Sequence, residues 1–246
     1  MMEITSAKNE KYKFIKSLLS KKGRDESGLY TVEGRKSVSD AIMAGTKVKY
    51  IVKSSDYPED VVADSEVITV KAEIFEGLCD TKTPQGILAV IEKDEKTAFP
   101  VNNKYVYCDR IRDPGNLGTI IRSADATGFS VLLSEECCEL YSPKTVRASM
   151  GSFFHTDIYE DVSYKELRDS GLHLIAGALS EKSKDYKAAD YKDSLAIIVG
   201  NEANGISDEL LSLCDELVII PILGKAESLN AGVAAAILMY EAVRLK

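Results

Sequence analysis

Five short apolar runs punctuate the second half of the chain, at residues 105–109, 130–133, 174–178, 195–199 and 217–220. Each is too short for a buried helix and reads as a strand covered on both faces. Helical stretches separate most of them, at 117–127, 143–150, 164–170 and 208–214, and a last, almost wholly apolar one runs over 228–245. Strands alternating with helices predict an α/β domain built on a mostly parallel sheet. Such sheets bind ligands beyond the carboxyl ends of their strands, so chemistry is sought in the loops after Asp109, Val199 and Ile220.

The first half has its own pattern. A helix is predicted over 10–21, with Tyr12, Ile15, Leu18 and Leu19 on one face. Strands follow at 29–32, 48–52, 67–70 and 87–91, with helices at 34–44 and 72–78. A charged run over 92–97, then Phe99-Pro100 and Asn102-Asn103, has the composition of a linker. The expected organisation is a small α/β domain over 1–95, a linker over 96–104 and the larger α/β domain over 105–246.

Composition removes several function classes. No apolar run approaches the roughly 20 residues that cross a bilayer, and the N-terminus lacks a basic start and apolar core, so a cytoplasmic protein is expected. The five cysteines are odd in number and include no C-x-x-C, against a disulfide framework or a zinc site. Cys137-Cys138 reads as two small, partly buried side chains. Two histidines, His155 and His173, are too few for a histidine-rich metal centre and leave little for a Ser-His-Asp triad, so no metal is expected. The net charge of −8 argues against nucleic acid until its distribution is considered. Residues 1–24 carry seven basic side chains against Glu3 and Glu10. Screening confines fields to about 10 Å at 0.1 M salt, so a local patch can hold phosphates on an acidic protein. A solvated helix surface is equally compatible with that charge.

Three loops concentrate polar residues where the sheet should bind a ligand. In the first, Pro114-Gly115 makes a turn, Asn116 is a natural N-cap and Gly128 ends the helix. Arg122 is the odd residue there, a guanidinium among Ile120, Ile121 and Ala124. Snorkelling from a buried stem would explain it, but a cation near a helix start is unfavourable and favours an anionic partner. In the second, an apolar strand enters Gly200-Asn201-Glu202, where Gly200 would let a ligand approach the backbone. Glu202 is placed to act on a substrate, with a plain turn as its rival reading. In the third, Glu227-Ser228-Leu229-Asn230 sits at the mouth of the apolar last helix. Capping explains Ser228 or Asn230 but not both, and Ala231-Gly232 with Ala234-Ala235-Ala236 would let a backbone or flat ligand pack closely. No G-x-G occurs anywhere, nor a Walker A sequence, so a Rossmann-type site is excluded.

Together, "RDPGNLGTIIRSADATGF", "IIVGNEANGIS" and "IPILGKAESLNAGVAAAILMYE" resemble the three motifs of the SpoU/TrmH branch of the SPOUT methyltransferases, in order and suitably spaced. The N-terminal "ITSAKNEKYKFIKSLLSKKGRDESGLYTVEGRKSV" is similar to the substrate-binding domain often fused ahead of it, down to Asn9, Arg24, Glu33 and Gly34. The resemblance implies methyl transfer from S-adenosylmethionine to a ribose 2′-hydroxyl of structured RNA, ribosomal in the first instance. It implies a parallel sheet with a C-terminal trefoil knot, and a homodimer formed through the knotted domain. Carried over by motif, Asn116, Arg122, Glu202, Ser228 and Asn230 are the catalytic residues, and Gly200, Ile220 and Leu229 hold the cofactor through backbone contacts. In the first domain Lys13, Lys16, Arg24 and Arg35 are expected to bind RNA.

A guanidinium has no acceptor to offer, so Arg122 is read as gripping a phosphate and stabilising charge on the ribose oxygen rather than as a base. Alternative readings are a tRNA substrate, a base-methylating enzyme of the same fold, and a non-catalytic RNA-binding or ribosome-assembly protein.

Overall fold

A computed structural model describes residues 2–59, 64–94, 96, 98–201 and 203–244. Glu202 of the expected site, Thr97 of the linker and Leu245 of the last helix lie outside the described residues. The chain forms two compact units, one of Met1–Asp94 with Tyr141–Phe154, the other of Glu95–Leu140 with His155–Lys246.

The first unit runs β1 (Met2–Ile4), α1 (Glu10–Ser17), α2 (Lys21–Ser27), β2 (Leu29–Glu33), α3 (Arg35–Met43), β3 (Val48–Ser54), β4 (Glu66–Val70), α4 (Ala72–Phe75) and β5 (Ile87–Glu92). Its mixed sheet has the order β1-β4-β3-β5-β2, with β1, β4 and β3 parallel and β5 antiparallel to its neighbours. Tyr12, Ile15 and Leu18 bury against Ile68, Val70, Leu88 and Val90. The single helix expected over 10–21 is broken. Ser20 accepts from Gly23 N at 3.2 Å and starts α2, an N-cap winning over helix continuation. Gly23 is needed there, because a Cβ would lie 2.2 Å from the Ser17 carbonyl oxygen.

The second unit carries β6 (Lys104–Asp109), α5 (Pro114–Thr127), β7 (Ser130–Leu133), β8 (Ile158–Tyr159), α7 (Tyr164–Asp169), β9 (His173–Gly177), β10 (Lys184–Asp185), β11 (Leu195–Gly200), α8 (Asp208–Leu213), β12 (Glu216–Ile219) and α9 (Ala231–Ala242). Between β7 and β8 the chain contributes α6 (Pro143–Ser149) to the first unit. The segment 141–154 therefore departs from the boundaries read in the sequence. An aromatic cluster accounts for it: Tyr30 meets Tyr141 at 4.9 Å and Phe153 at 5.8 Å between ring centroids. The Tyr141 hydroxyl also donates to the Asp94 carbonyl at 2.8 Å.

The second sheet has the order β10-β12-β9-β11-β6-β7-β8 and every pairing in it is parallel. The two-residue strands β8 and β10 at its edges leave no signal in periodicity. Residues 195–198 of central β11 have no exposed surface, which is why the run is apolar without alternation. Helix α9 packs on β11 and along α5. Register aligns Gly200 with Asp109 and Gly177 with Val218, so the ends of β6, β11, β9 and β12 share one edge. Among the described residues no helix is long and apolar enough to cross a membrane.

Candidate active site

The first loop starts α5 differently from the expectation. Asp113, not Asn116, is the N-cap, its Oδ1 accepting from Asn116 N at 2.8 Å, with Pro114 at the first helical position. Capping by Asp113 releases the Asn116 side chain for other work. Its Oδ1 accepts a hydrogen bond from Nδ2 of Asn230 at 2.7 Å.

Asn230 has two roles at once. Its Oδ1 caps α9 by accepting from Val233 N at 3.2 Å, while its amide nitrogen serves Asn116. The helix therefore starts at Ala231 and not at Ser228, which is exposed in the preceding loop. The small-residue run is explained in part by α5: a Cβ on Gly232 would lie 2.9 Å from Thr119 Cγ2. At that point the close neighbour of α9 is another helix, not a flat ligand.

Gly200 is likewise occupied by the chain itself. A Cβ there would stand 2.3 Å from the Gly205 carbonyl carbon and 2.4 Å from Ile206 N. The turn after β11 folds back on the strand end, and Asn201 and Gly205 exchange backbone hydrogen bonds of 3.1 and 2.8 Å. Glu202 belongs to this turn in sequence but lies outside the described residues.

Arg122 stands apart from the asparagine pair. It is exposed on α5, about 120° round the helix from Asn116 by the 3.6-residue repeat. It has no hydrogen bond or ion pair among the described residues. All its donors are available to an external acceptor.

Between β12 and α9 the chain passes through Ile220, half-buried, and Leu229, which is 37% exposed. Among the described residues, the backbone groups of 221–229 make no hydrogen bond with the rest of the protein. A stretch of unspent donors and acceptors beside Ile220 and Leu229 suits a ligand with an apolar ring and polar edges held through the backbone. The residues present thus fit an adenosyl group.

A polar network missed by the sequence reading lies behind these loops. Asp109 is fully buried and accepts from Tyr164 Oη at 2.6 Å, Ser207 N at 3.0 Å and the Arg110 guanidinium at 2.9 and 3.1 Å. Burial, then the hydrogen bond to Asp109, pushes the Tyr164 hydroxyl pKa up, and the bond to Asp109 raises that of Arg110. The only sequence signal was an acid ending an apolar strand. The nearby Cys137 thiol donates to the Cys108 carbonyl at 3.2 Å and is pushed up by burial, the state of an inert structural cysteine. Among the described residues no cluster of three or more His, Cys, Asp or Glu side chains could hold a metal.

In the first unit Arg24 corrects the expectation. It is 3% exposed and donates to the Leu18 carbonyl at 2.7 Å, satisfying the end of α1, so it presents no surface to RNA. Asn9 caps α1, and Glu33 accepts from Asp80 N and Thr81 N at 2.6 and 3.2 Å. Gly34 adopts φ 93, open only to glycine without strain. These matched residues are structural. Lys13 is exposed and pairs with Glu10 at 2.7 Å, while Lys16 is exposed with no partner among the described residues. Arg35 is half exposed, pairs with Glu59 at 2.8 Å and lies 5.1 Å from the Tyr57 ring centroid.

Known proteins carry the same architecture. The MRM3-like substrate binding domain model matches residues 9–89. The 23S rRNA (guanosine(2553)-2′-O)-methyltransferase RlmP of Bacillus subtilis is 36% identical, with 98% of each chain covered. The 23S rRNA (uridine(2479)-2′-O)-methyltransferase of Streptomyces viridochromogenes is 30% identical over 97% of this chain and 91% of its own. An AdoMet-bound rRNA methyltransferase from Sinorhizobium meliloti superposes with a TM-score of 0.87 at 35% identity, covering 98% of this chain and 97% of that one. With the SpoU rRNA Methylase family model matching residues 103–240, more than half its length, the chain belongs to that family.

Proposed function

We propose that this protein transfers a methyl group from S-adenosylmethionine to a ribose 2′-hydroxyl of large-subunit ribosomal RNA. The observation that carries the reading is the junction of Asn116 and Asn230, which joins the first and third motif loops at the carboxyl edge of a parallel sheet. Full-length similarity to two 23S rRNA ribose methyltransferases supports the substrate class. Those two act on different nucleotides, so similarity of this degree does not fix the position modified. An rRNA substrate is compatible with the cytoplasmic location expected from the sequence.

The cofactor supplies an electrophilic methyl group when bound. Ile220, Leu229 and the loop backbone between them would hold it, with Gly200 keeping the adjacent turn compact. The ribose hydroxyl loses its proton to solvent as its oxygen takes the methyl group, so the oxygen needs positioning and the charge exposed as the proton leaves needs stabilising. Asn116 and Asn230 are bonded to each other and would orient the nucleotide. Arg122, exposed and without a partner among the described residues, would take the phosphate and the charge exposed on the ribose oxygen. Ser228 and Glu202 are assigned to the same site by motif alone.

We further infer a homodimer through the second unit. Helix α9 is apolar apart from Glu241, yet Val233 and Tyr240 on its outer face are 44% and 55% exposed, and Leu223 of the preceding loop is 99% exposed. A helix of that composition is normally covered on every side. A second copy of the chain would cover this face.

The test is incubation with labelled S-adenosylmethionine and unmodified ribosomal RNA, followed by alkaline hydrolysis. A 2′-O-methyl group blocks cleavage at its nucleotide, so one protected position in large-subunit RNA is expected. Label incorporated without a protected position would replace this reading with base methylation.

A further inference from the structure

The carboxyl edge of the second sheet holds a buried charge that the proposed chemistry does not use. The Asp109 carboxylate has no exposed surface, and a buried charge is tolerated only when paired and hydrogen-bonded. Its bonds to Ser207 N and to the Arg110 guanidinium, at 3.0, 2.9 and 3.1 Å, do this. Arg110 adopts φ 56, a left-handed conformation uncommon outside glycine and concentrated at functional sites. That backbone twist turns the Arg110 carbonyl to Nδ2 of Asn201, 2.8 Å away, while its N–H donates to Ser134 Oγ at 2.9 Å. The guanidinium also extends to the Gly205 carbonyl at 3.5 Å, a long contact. The turn after β11 is thus held near both ends, at Asn201 and at Ser207, by the last residue of β6 and the first residue of the loop that follows it.

We propose that Asp109 and Arg110 form a positioning clamp that registers the turn after β11 against the loop between β6 and α5. Neither is a catalytic residue: they act through Asn201 and Ser207, so that two loops meet one substrate in a fixed geometry. A buried ion pair is weak evidence for net stability, whereas its bonds here run from one site loop to the other. Tyr164 completes the clamp from α7, bonding both the Asp109 carboxylate, at 2.6 Å, and the Ser207 hydroxyl, at 3.2 Å. The activity arm of the test rests on the methyl-transfer reading; the exchange arm does not.

The experiment compares the full-length protein with Arg110→Gly, Arg110→Lys and Asp109→Asn. Glycine accepts the positive φ, so Arg110→Gly removes the guanidinium while leaving the backbone unstrained. Two quantities are read: the single-turnover methyl-transfer rate per titrated S-adenosylmethionine site, and amide hydrogen exchange at Gly205 and Ser207. In Arg110→Gly the rate per site is expected to fall at least 30-fold and exchange at both amides to quicken at least tenfold. Arg110→Lys should recover part of each, because an ammonium still pairs with Asp109. Should Asp109→Asn fail to fold, Arg110→Gly alone decides. Wild-type rate per site in Arg110→Gly overturns the proposal, including the case where only the number of competent sites falls. Unchanged exchange overturns the clamp whatever the activity. A wild-type protein that transfers no methyl group defeats the functional reading instead.

Discussion

Asn230 donates its side-chain amide to Oδ1 of Asn116 across 2.7 Å and 114 residues of sequence, while its own Oδ1 caps α9. One carboxamide thereby fixes where the last helix starts and where the first motif loop presents its polar group. The two functions can be separated by substitution.

Asn230→Asp keeps an oxygen for the cap but replaces the donor facing Asn116 with an acceptor. Thermal stability should change little, and methyl-transfer turnover should fall by at least tenfold. Asn230→Ala should lose turnover as well and cost about 1 kcal/mol of stability, the usual worth of a cap. Paired melting curves and initial rates check both. Equal turnover in Asn230→Asp and wild type would reduce Asn230 to a cap.

Arg122 is exposed and bonded to no described residue, so Arg122→Lys should leave stability within about 0.5 kcal/mol. Calorimetric affinity for S-adenosylmethionine should also hold. Turnover should be largely lost, since an ammonium cannot reproduce the planar fork on a phosphate. Near-normal turnover would remove Arg122 from the site.

The basic N-terminal segment separates into two classes. Reversing Lys13 and Lys16 to glutamate should weaken RNA binding and reduce the salt slope of log K by about 0.7–0.9 per lost phosphate contact. Arg24→Met should leave the slope unchanged and cost about 1.5–3 kcal/mol of stability, because the Leu18 carbonyl loses a charged donor. Filter binding across a salt series, with denaturant melts, distinguishes them. A slope that falls in Arg24→Met contradicts its burial.

Gly200→Ala places a methyl group 2.3 Å from backbone that cannot rotate away. Overpacking of this kind costs about 1–3 kcal/mol and should shift the turn 201–207. A lower denaturation midpoint together with weakened S-adenosylmethionine binding is expected. An unaffected midpoint would mean that the turn moves freely from the strand end.

The sequence by itself determined the class of fold and the place of the candidate site. Apolar runs such as 195–199 show no alternation because both sheet faces are covered, and that pattern is local. Asn116 and Asn230 were legible as polar residues of the first and third motif loops. Tertiary structure decided who does what. Asn116 reads as a cap from its neighbours, yet Asp113 takes the cap because its Oδ1 reaches the Asn116 N–H. Arg24 reads as part of a basic patch, yet the break of the helix at Ser20 turns it inward to a carbonyl. Segment 141–154 reads as part of the second domain, yet Tyr141 and Phe153 bury against Tyr30. The Asp109–Arg110 clamp joins residues about 95 positions apart. Hydrogen bonds and close packing between distant segments leave no periodicity in sequence; they exist only once the sheet has brought the strand ends together.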